Sequence, residues 1–155
     1  MWNKKSSITL SIVICFIFLT VLTVLVFLGP WLFKMWLTNY RGWIDDSVYL
    51  FDMVIVFALT FYPCAVFGYI TLHSLIKLLF NIKKEEIFIN QNVKYLRRIS
   101  WCCIVVAIIT LASGFFYLPY SFIAVAAGFV GILLRVVKNA FQNAVVLREE
   151  NELTI

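Results

Sequence analysis

Residues 8–28 read ITLSIVICFIFLTVLTVLVFL, twenty-one positions without a charged side chain. Wound as an α-helix, the run is roughly 31 Å long, the thickness of a bilayer's hydrocarbon core. It can span alone. The rest of the chain agrees: of 155 residues, 63% are hydrophobic and 14% charged, whereas soluble domains run nearer half apolar and about a quarter charged. A soluble fold of this size has no interior large enough for so many Phe, Ile, Leu and Val side chains. The excess makes sense when lipid is the outer solvent.

Three further apolar runs follow. Val48 to about Leu72 carries Asp52 near its start and Pro63 in its middle. Ile99–Leu118 is free of charge, and Tyr120–Leu134 is short at 15 residues. The last must borrow Arg135–Val137, with Arg135 snorkelling towards the headgroups. The expected architecture is all-α: an integral membrane four-helix bundle in a single domain, residues 1–155, with spans at about 8–28, 48–72, 99–118 and 120–137. Between the first two spans lies PWLFKMWLTNYRGWIDD (30–46), too polar to cross again and too aromatic to float free. It is expected to lie along the outer membrane surface. The first run follows MWNKK and could pass for a signal peptide. Its apolar core is longer than a usual h-region, however, and LGPWLFKMW follows it in place of a small-residue cleavage site, so an uncleaved signal-anchor is expected.

Orientation follows from the basic residues. Lys4 and Lys5, Lys77, Lys83, Lys84, Lys94, Arg97 and Arg98, then Arg135, Lys138 and Arg148 make eleven on one side, against Lys34 and Arg41 on the other. By the positive-inside rule both termini, the second loop (77–98) and the tail (138–155) face the cytoplasm. The tryptophans fit an interfacial belt: Trp2 and Trp101 at the inner surface, Trp31, Trp36 and Trp43 in the outer segment.

The most polar passage is EEIFINQNVKYLRRISWCC, residues 85–103. Asn90 is placed to cap a helix, and Val93, Leu96 and Ile99 recur at helical spacing, with Lys94, Arg97 and Arg98 on other faces. This spacing predicts a short amphipathic cytoplasmic helix running into the third span. After the fourth span, Leu133, Val137, Ala140, Phe141 and Ala144 form an apolar stripe opposite Lys138, Asn139, Gln142 and Asn143. The fourth helix is therefore expected to extend into the cytoplasm to about Leu147. The two amphipathic elements sit side by side, to pack together, lie on lipid or dock a partner.

Phe88, Asn92, Val93, Leu96, Arg97 and Ile99, together with Leu147, Glu150, Asn151, Leu153, Thr154 and Ile155, carry a resemblance. They match the loop pattern F-[ST]-x-x-N-V-x-x-L-R-x-I and the terminal L-x-x-E-N-x-L-T-I of the bacterial membrane family known as domain-of-unknown-function family 2975. The chain departs at Ile89, where the family often has a hydroxyl cap, so Asn90 is expected to take over. The resemblance implies four spans and no known catalytic activity. Members often lie beside a gene for a small helix-turn-helix regulator of the Cro and phage-repressor type. By association, that implies a membrane partner for a transcription factor.

Candidate chemistry is sparse. Cys15 and Cys64 fall deeper in the cytoplasmic half of the membrane than Cys102 and Cys103, too far apart in depth to share one metal ion at bond lengths of about 2.3 Å. Buried free thiols are the expectation, and no metal or cofactor is expected. His73, the single histidine, lies at the inner end of the second span, where a lone His is an anchor more often than a pH switch. Asp52 is a carboxylate inside an apolar run, either hydrated at the outer interface beside Arg41 or a polar lip on an outward-facing ligand cavity. Pro63 with Gly68 marks a kink or a packing site, and Gly128 with Gly131 gives the fourth helix a small-residue face for a bundle or a dimer.

With no nucleophile, carboxylate pair or ligand set in a shared layer, an enzyme is not expected. The expected function is a non-enzymatic multi-pass membrane protein that tethers a small cytoplasmic regulator through Asn92, Lys94, Arg97, Arg98, Glu150 and Asn151. Direct nucleic-acid binding is not expected, because the basic residues hug the bilayer and the tail is acidic. The alternative is a small transporter or ligand-binding protein acting as a homodimer, with Asp52 at its cavity.

Overall fold

A computed structural model describes residues 4–40 and 47–152, with side chains for 6–39 and 53–151. Four helices fill those ranges: α1 (Lys4–Tyr40), α2 (Ser47–Lys83), α3 (Asn90–Gly114) and α4 (Pro119–Glu152). Each holds a stretch long and apolar enough to cross a membrane. The all-α, four-span architecture expected from the apolar runs is what the chain forms. The helices alternate in direction, so Lys4, Lys83, Asn90 and Glu152 share one end, here called the basic end.

Length is where the fold departs from expectation. α1 and α2 have 37 residues each and α4 has 34, roughly 50–55 Å apiece, against a hydrocarbon core of about 30 Å. The boundary expected at Leu28 is not a helix end. α1 continues through Gly29 and Pro30 to Tyr40, so residues 30–40 extend the first helix rather than forming a separate segment. Pro30 removes one helical hydrogen bond, a loss that neighbouring helices can absorb in membrane proteins. Beyond it, Phe33 stacks on Phe57 of α2, with centroids 4.2 Å apart and planes 7° from parallel, and Leu37 is buried. That packing carries the helix past its breaker. α2 likewise runs unbroken through Pro63.

Among the described residues α1 packs on α2, α2 on α3 and α3 on α4, and no other helix pair meets. The bundle is an open row. Its outward surface is apolar, with Phe27, Leu59, Phe122 and Val125 all more than 70% exposed. Its deepest side chains are polar: Asn92 and Ser74 are fully buried, and Ser100, Thr60 and Thr110 nearly so. A water-soluble fold inverts that distribution.

Small residues set the close approaches. A Cβ on Gly68 would stand 3.3 Å from Leu22, and one on Gly29 3.4 Å from Phe61, so Gly68 serves the α1–α2 contact. Tyr69 donates to Thr23 Oγ1 across that contact at 2.9 Å. The hydroxyls of Thr60 and Ser113 join α2 to α3 at 2.5 Å. The α3–α4 interface is the most extensive. There Gly131 lets Ser100 Oγ reach and donate to its carbonyl at 2.8 Å. A Cβ on Gly131 would lie 3.0 Å from Ile104 and 3.3 Å from Cys103, whereas one on Gly128 would meet Ala107 at an ordinary 3.7 Å. The small-residue face of α4 is thus engaged within the chain.

Gly131→Val should therefore destabilise the α3–α4 pair by about 2 kcal/mol through overpacking, while Gly128→Ala should be close to neutral. The midpoint of helicity loss in a detergent titration separates the two; equal midpoints would remove the close-approach role assigned to Gly131.

Candidate functional site

The loop between α2 and α3 is built around two asparagines. α2 ends in a Schellman arrangement: Glu86 N–H donates to Asn81 O at 3.0 Å and Glu85 N–H to Ile82 O at 3.0 Å. Glu85 takes the left-handed position, φ 69°, usually reserved for glycine. Asn92, in the first turn of α3, then locks the loop. Its amide donates to Glu86 O and Ile87 O, each at 2.8 Å, and its oxygen accepts from Asn81 Nδ2 at 2.8 Å. Every polar atom of that side chain works inside the loop, so Asn92, expected on a partner-binding face, offers nothing to a partner here.

Asn90 also departs from expectation. Ile89 holds the N-cap position in an extended conformation and makes no side-chain cap bond. Asn90 is the first helical residue, and its amide donates instead to Glu149 Oε1 of α4 at 2.9 Å. An apolar side chain has no acceptor with which to cap, and the carboxylate across the groove draws the neighbouring amide outward. Phe88 meets Phe141 of α4 with ring centroids 5.8 Å apart. Of the three arrangements open to the two amphipathic elements, they pack together and make one surface at the basic end.

Lys94, Arg97, Arg98, Glu150 and Asn151 are all exposed on that surface, as are Val146 and Leu147 of α4. Arg97 differs from its neighbours in lining a narrow polar pocket with Ser100, Trp101, Arg135 and Lys138. The terminal motif residues Leu153, Thr154 and Ile155 lie outside the described residues, as do Trp2, Trp43 and Arg41.

At the opposite end a cavity of about 430 Å³ lies between α1, α2 and the α3–α4 turn, walled by Phe33, Trp36, Met53, Phe57, Tyr117 and Tyr120. Asp52, expected as a polar lip on such a cavity, immediately precedes Met53 within α2, but its side chain lies outside the described residues. No pattern in the sequence pointed to these aromatic walls, because three separate elements supply them. Cys15 and Cys102 are buried and Cys64 and Cys103 half-buried, all as free thiols. His73 is exposed beside the fully buried Ser74.

Four long apolar helices, an apolar exterior and buried polar side chains that are all hydrogen-bonded define a multi-pass α-helical membrane protein. A family model described as "Protein of unknown function (DUF2975)" matches residues 39–155, and the chain belongs to that family. No curated protein and no solved structure matches the chain. The residues that carried the resemblance in the loop are mostly structural, since Asn92, Val93, Leu96 and Ile99 are all buried while Arg97 is exposed.

Asn92→Ala should strand two carbonyls and the Asn81 amide, lowering stability by about 3 kcal/mol, which the same detergent titration reads. Glu85→Gly should raise stability by about 1 kcal/mol by relieving the left-handed conformation. A destabilised Glu85→Gly protein would contradict the cap geometry.

Proposed function

We propose that the protein is a non-enzymatic membrane tether whose basic end faces the cytoplasm and holds a small cytoplasmic regulator. One observation carries the reading. The loop and the end of α4 are pinned to each other through Asn90–Glu149 and Phe88–Phe141, which makes one continuous surface from two distant parts of the chain. That surface presents cations (Lys94, Arg98), an acid and an amide (Glu150, Asn151) and exposed apolar groups (Val146, Leu147). Mixed polar rims around apolar side chains are the usual composition of a protein-binding patch. The helix-turn-helix identity of the regulator rests on the gene neighbourhood typical of the family. A bacterial cell membrane is what the family resemblance implies, and the basic-residue asymmetry supports both termini inside.

The cavity at the other end favours a second reading, a small transporter or ligand-binding protein that works as a homodimer. Its volume falls within the usual range for small-molecule sites, and its walls are aromatic.

Crosslinking in the native membrane, followed by purification in mild detergent, distinguishes the two. The tether predicts a small helix-turn-helix protein, lost when Leu147–Ile155 are removed and when Lys94 and Arg98 are both changed to Glu. A partner retained through both changes would sink the tether; recovery of the chain only with itself would favour the homodimer.

A further inference from the structure

Arg97 of α3 and Arg135 and Lys138 of α4 line one pocket of about 70 Å³ between the two helices, together with Ser100 and Trp101. Small-molecule sites usually run to roughly 300–1,000 Å³, so this much smaller space suits a single small group such as a phosphate rather than a larger ligand. The charge in it is uncompensated from within. α3 contains no acidic residue, and the first in α4 is Glu149, eleven positions beyond Lys138 and roughly 16 Å along the axis. Glu149 accepts from Asn90. No carboxylate among the described residues pairs with Arg97, Arg135 or Lys138. Converging unpaired cations repel one another, and an anion between them relieves that.

The guanidinium of Arg135 lies over the Trp101 ring, 4.8 Å from its centroid. Stacking fixes the plane of the fork and leaves its N–H edges free for two oxygens of an anion. Ser100 is already committed to Gly131 O, which holds α3 and α4 in the register that sets Trp101 beside Arg135.

Directly along the same two helices, towards the membrane centre, runs an apolar groove of about 340 Å³ lined by Ile104, Ile108, Gly128 and Ile132 among others. Arg97, Trp101, Ile104 and Ile108 fall at alternating spacings of four and three on α3, as do Gly128, Ile132 and Arg135 on α4. Each set is a single helical stripe, so pocket and groove form one track. The cationic end sits at the level of an interfacial Trp, and the apolar end descends into the hydrocarbon.

We propose that this track binds one anionic phospholipid, its headgroup phosphate held by Arg97, Arg135 and Lys138 and an acyl chain laid along the α3–α4 groove. Basic pockets between membrane helices at the cytoplasmic surface are established headgroup sites in general. The groove below the pocket is what distinguishes a lipid from a free phosphate. The site is independent of the tether, which uses Lys94, Arg98 and the end of α4.

The test is native mass spectrometry of the purified full chain from mixed micelles of phosphatidylglycerol and phosphatidylcholine with identical acyl chains. One phosphatidylglycerol should be retained over phosphatidylcholine by roughly tenfold. R135Q/K138Q should bring the two lipids to parity, while K94Q/R98Q, which removes the same charge outside the pocket, should leave the preference unchanged. I132W, a substitution at an exposed position that fills the groove without changing charge, should also weaken retention and stands in if the double variant does not fold. An equal loss in K94Q/R98Q, or none in R135Q/K138Q and I132W, would overturn the site. Displacement of the lipid by an excess of inorganic phosphate would overturn the lipid in favour of the free anion.

Discussion

Water is missing from most of this molecule's surface, and the fold follows from that. In hydrocarbon, a polar group either finds a partner within the protein or costs several kcal/mol. The chain answers by turning Phe27, Leu59 and Phe122 outward and Asn92, Ser74, Ser100, Thr60 and Thr110 inward. Each buried hydroxyl or amide is bonded inside: Ser74 to Ile70 O, Thr110 to Val106 O, Ser100 to Gly131 O. No buried side-chain nitrogen or oxygen among the described residues lacks a partner. Apolar contact alone cannot choose one helix neighbour over lipid, so glycine approaches and hydroxyl links make the choice.

The first and third spans were legible because a charge-free run of twenty residues has few other readings, and the second and fourth because Asp52 and Arg135 fall near the ends of otherwise apolar runs. Helix ends were less so. Gly29 and Pro30 look like a stop, and only the stack of Phe33 on Phe57, a contact between residues 24 positions apart in the chain, shows why the helix continues. Asn90 has the right side chain for a cap and stands one residue too late, with Glu149, far away in sequence, claiming its amide. Nothing local marks Glu85 as left-handed, since the residue type that usually announces that conformation is absent. The amphipathic spacing of Val93, Leu96 and Ile99 did place the buried face of α3 correctly. Arg135 stood out at the end of the fourth apolar run, but its meeting with Arg97 and Lys138 depends on the register of two helices, which no single-helix pattern contains.

The two ends of the row have different chemistry. One end gathers aromatic rings from three elements around an apolar cavity. The other joins loop and α4 into a charged surface whose cations divide by position: Arg97 lines the helix pair's pocket, and Lys94 and Arg98 are not among its lining residues. A lipid in that pocket would neutralise charge beside the regulator's proposed docking face, so the two proposals, though independent in their residues, share a neighbourhood.

The row arrangement bears on how the protein is made. Among the described residues each helix leans only on the one synthesised just before or after it. A helix leaving the insertion machinery therefore meets its neighbour already in place, and none must wait for a distant segment to complete its contacts. The four-residue turn between α3 and α4 joins the most extensive pair, so the last helix to emerge enters beside its main partner. Order of insertion and order of packing coincide, and assembly needs no search across the membrane plane.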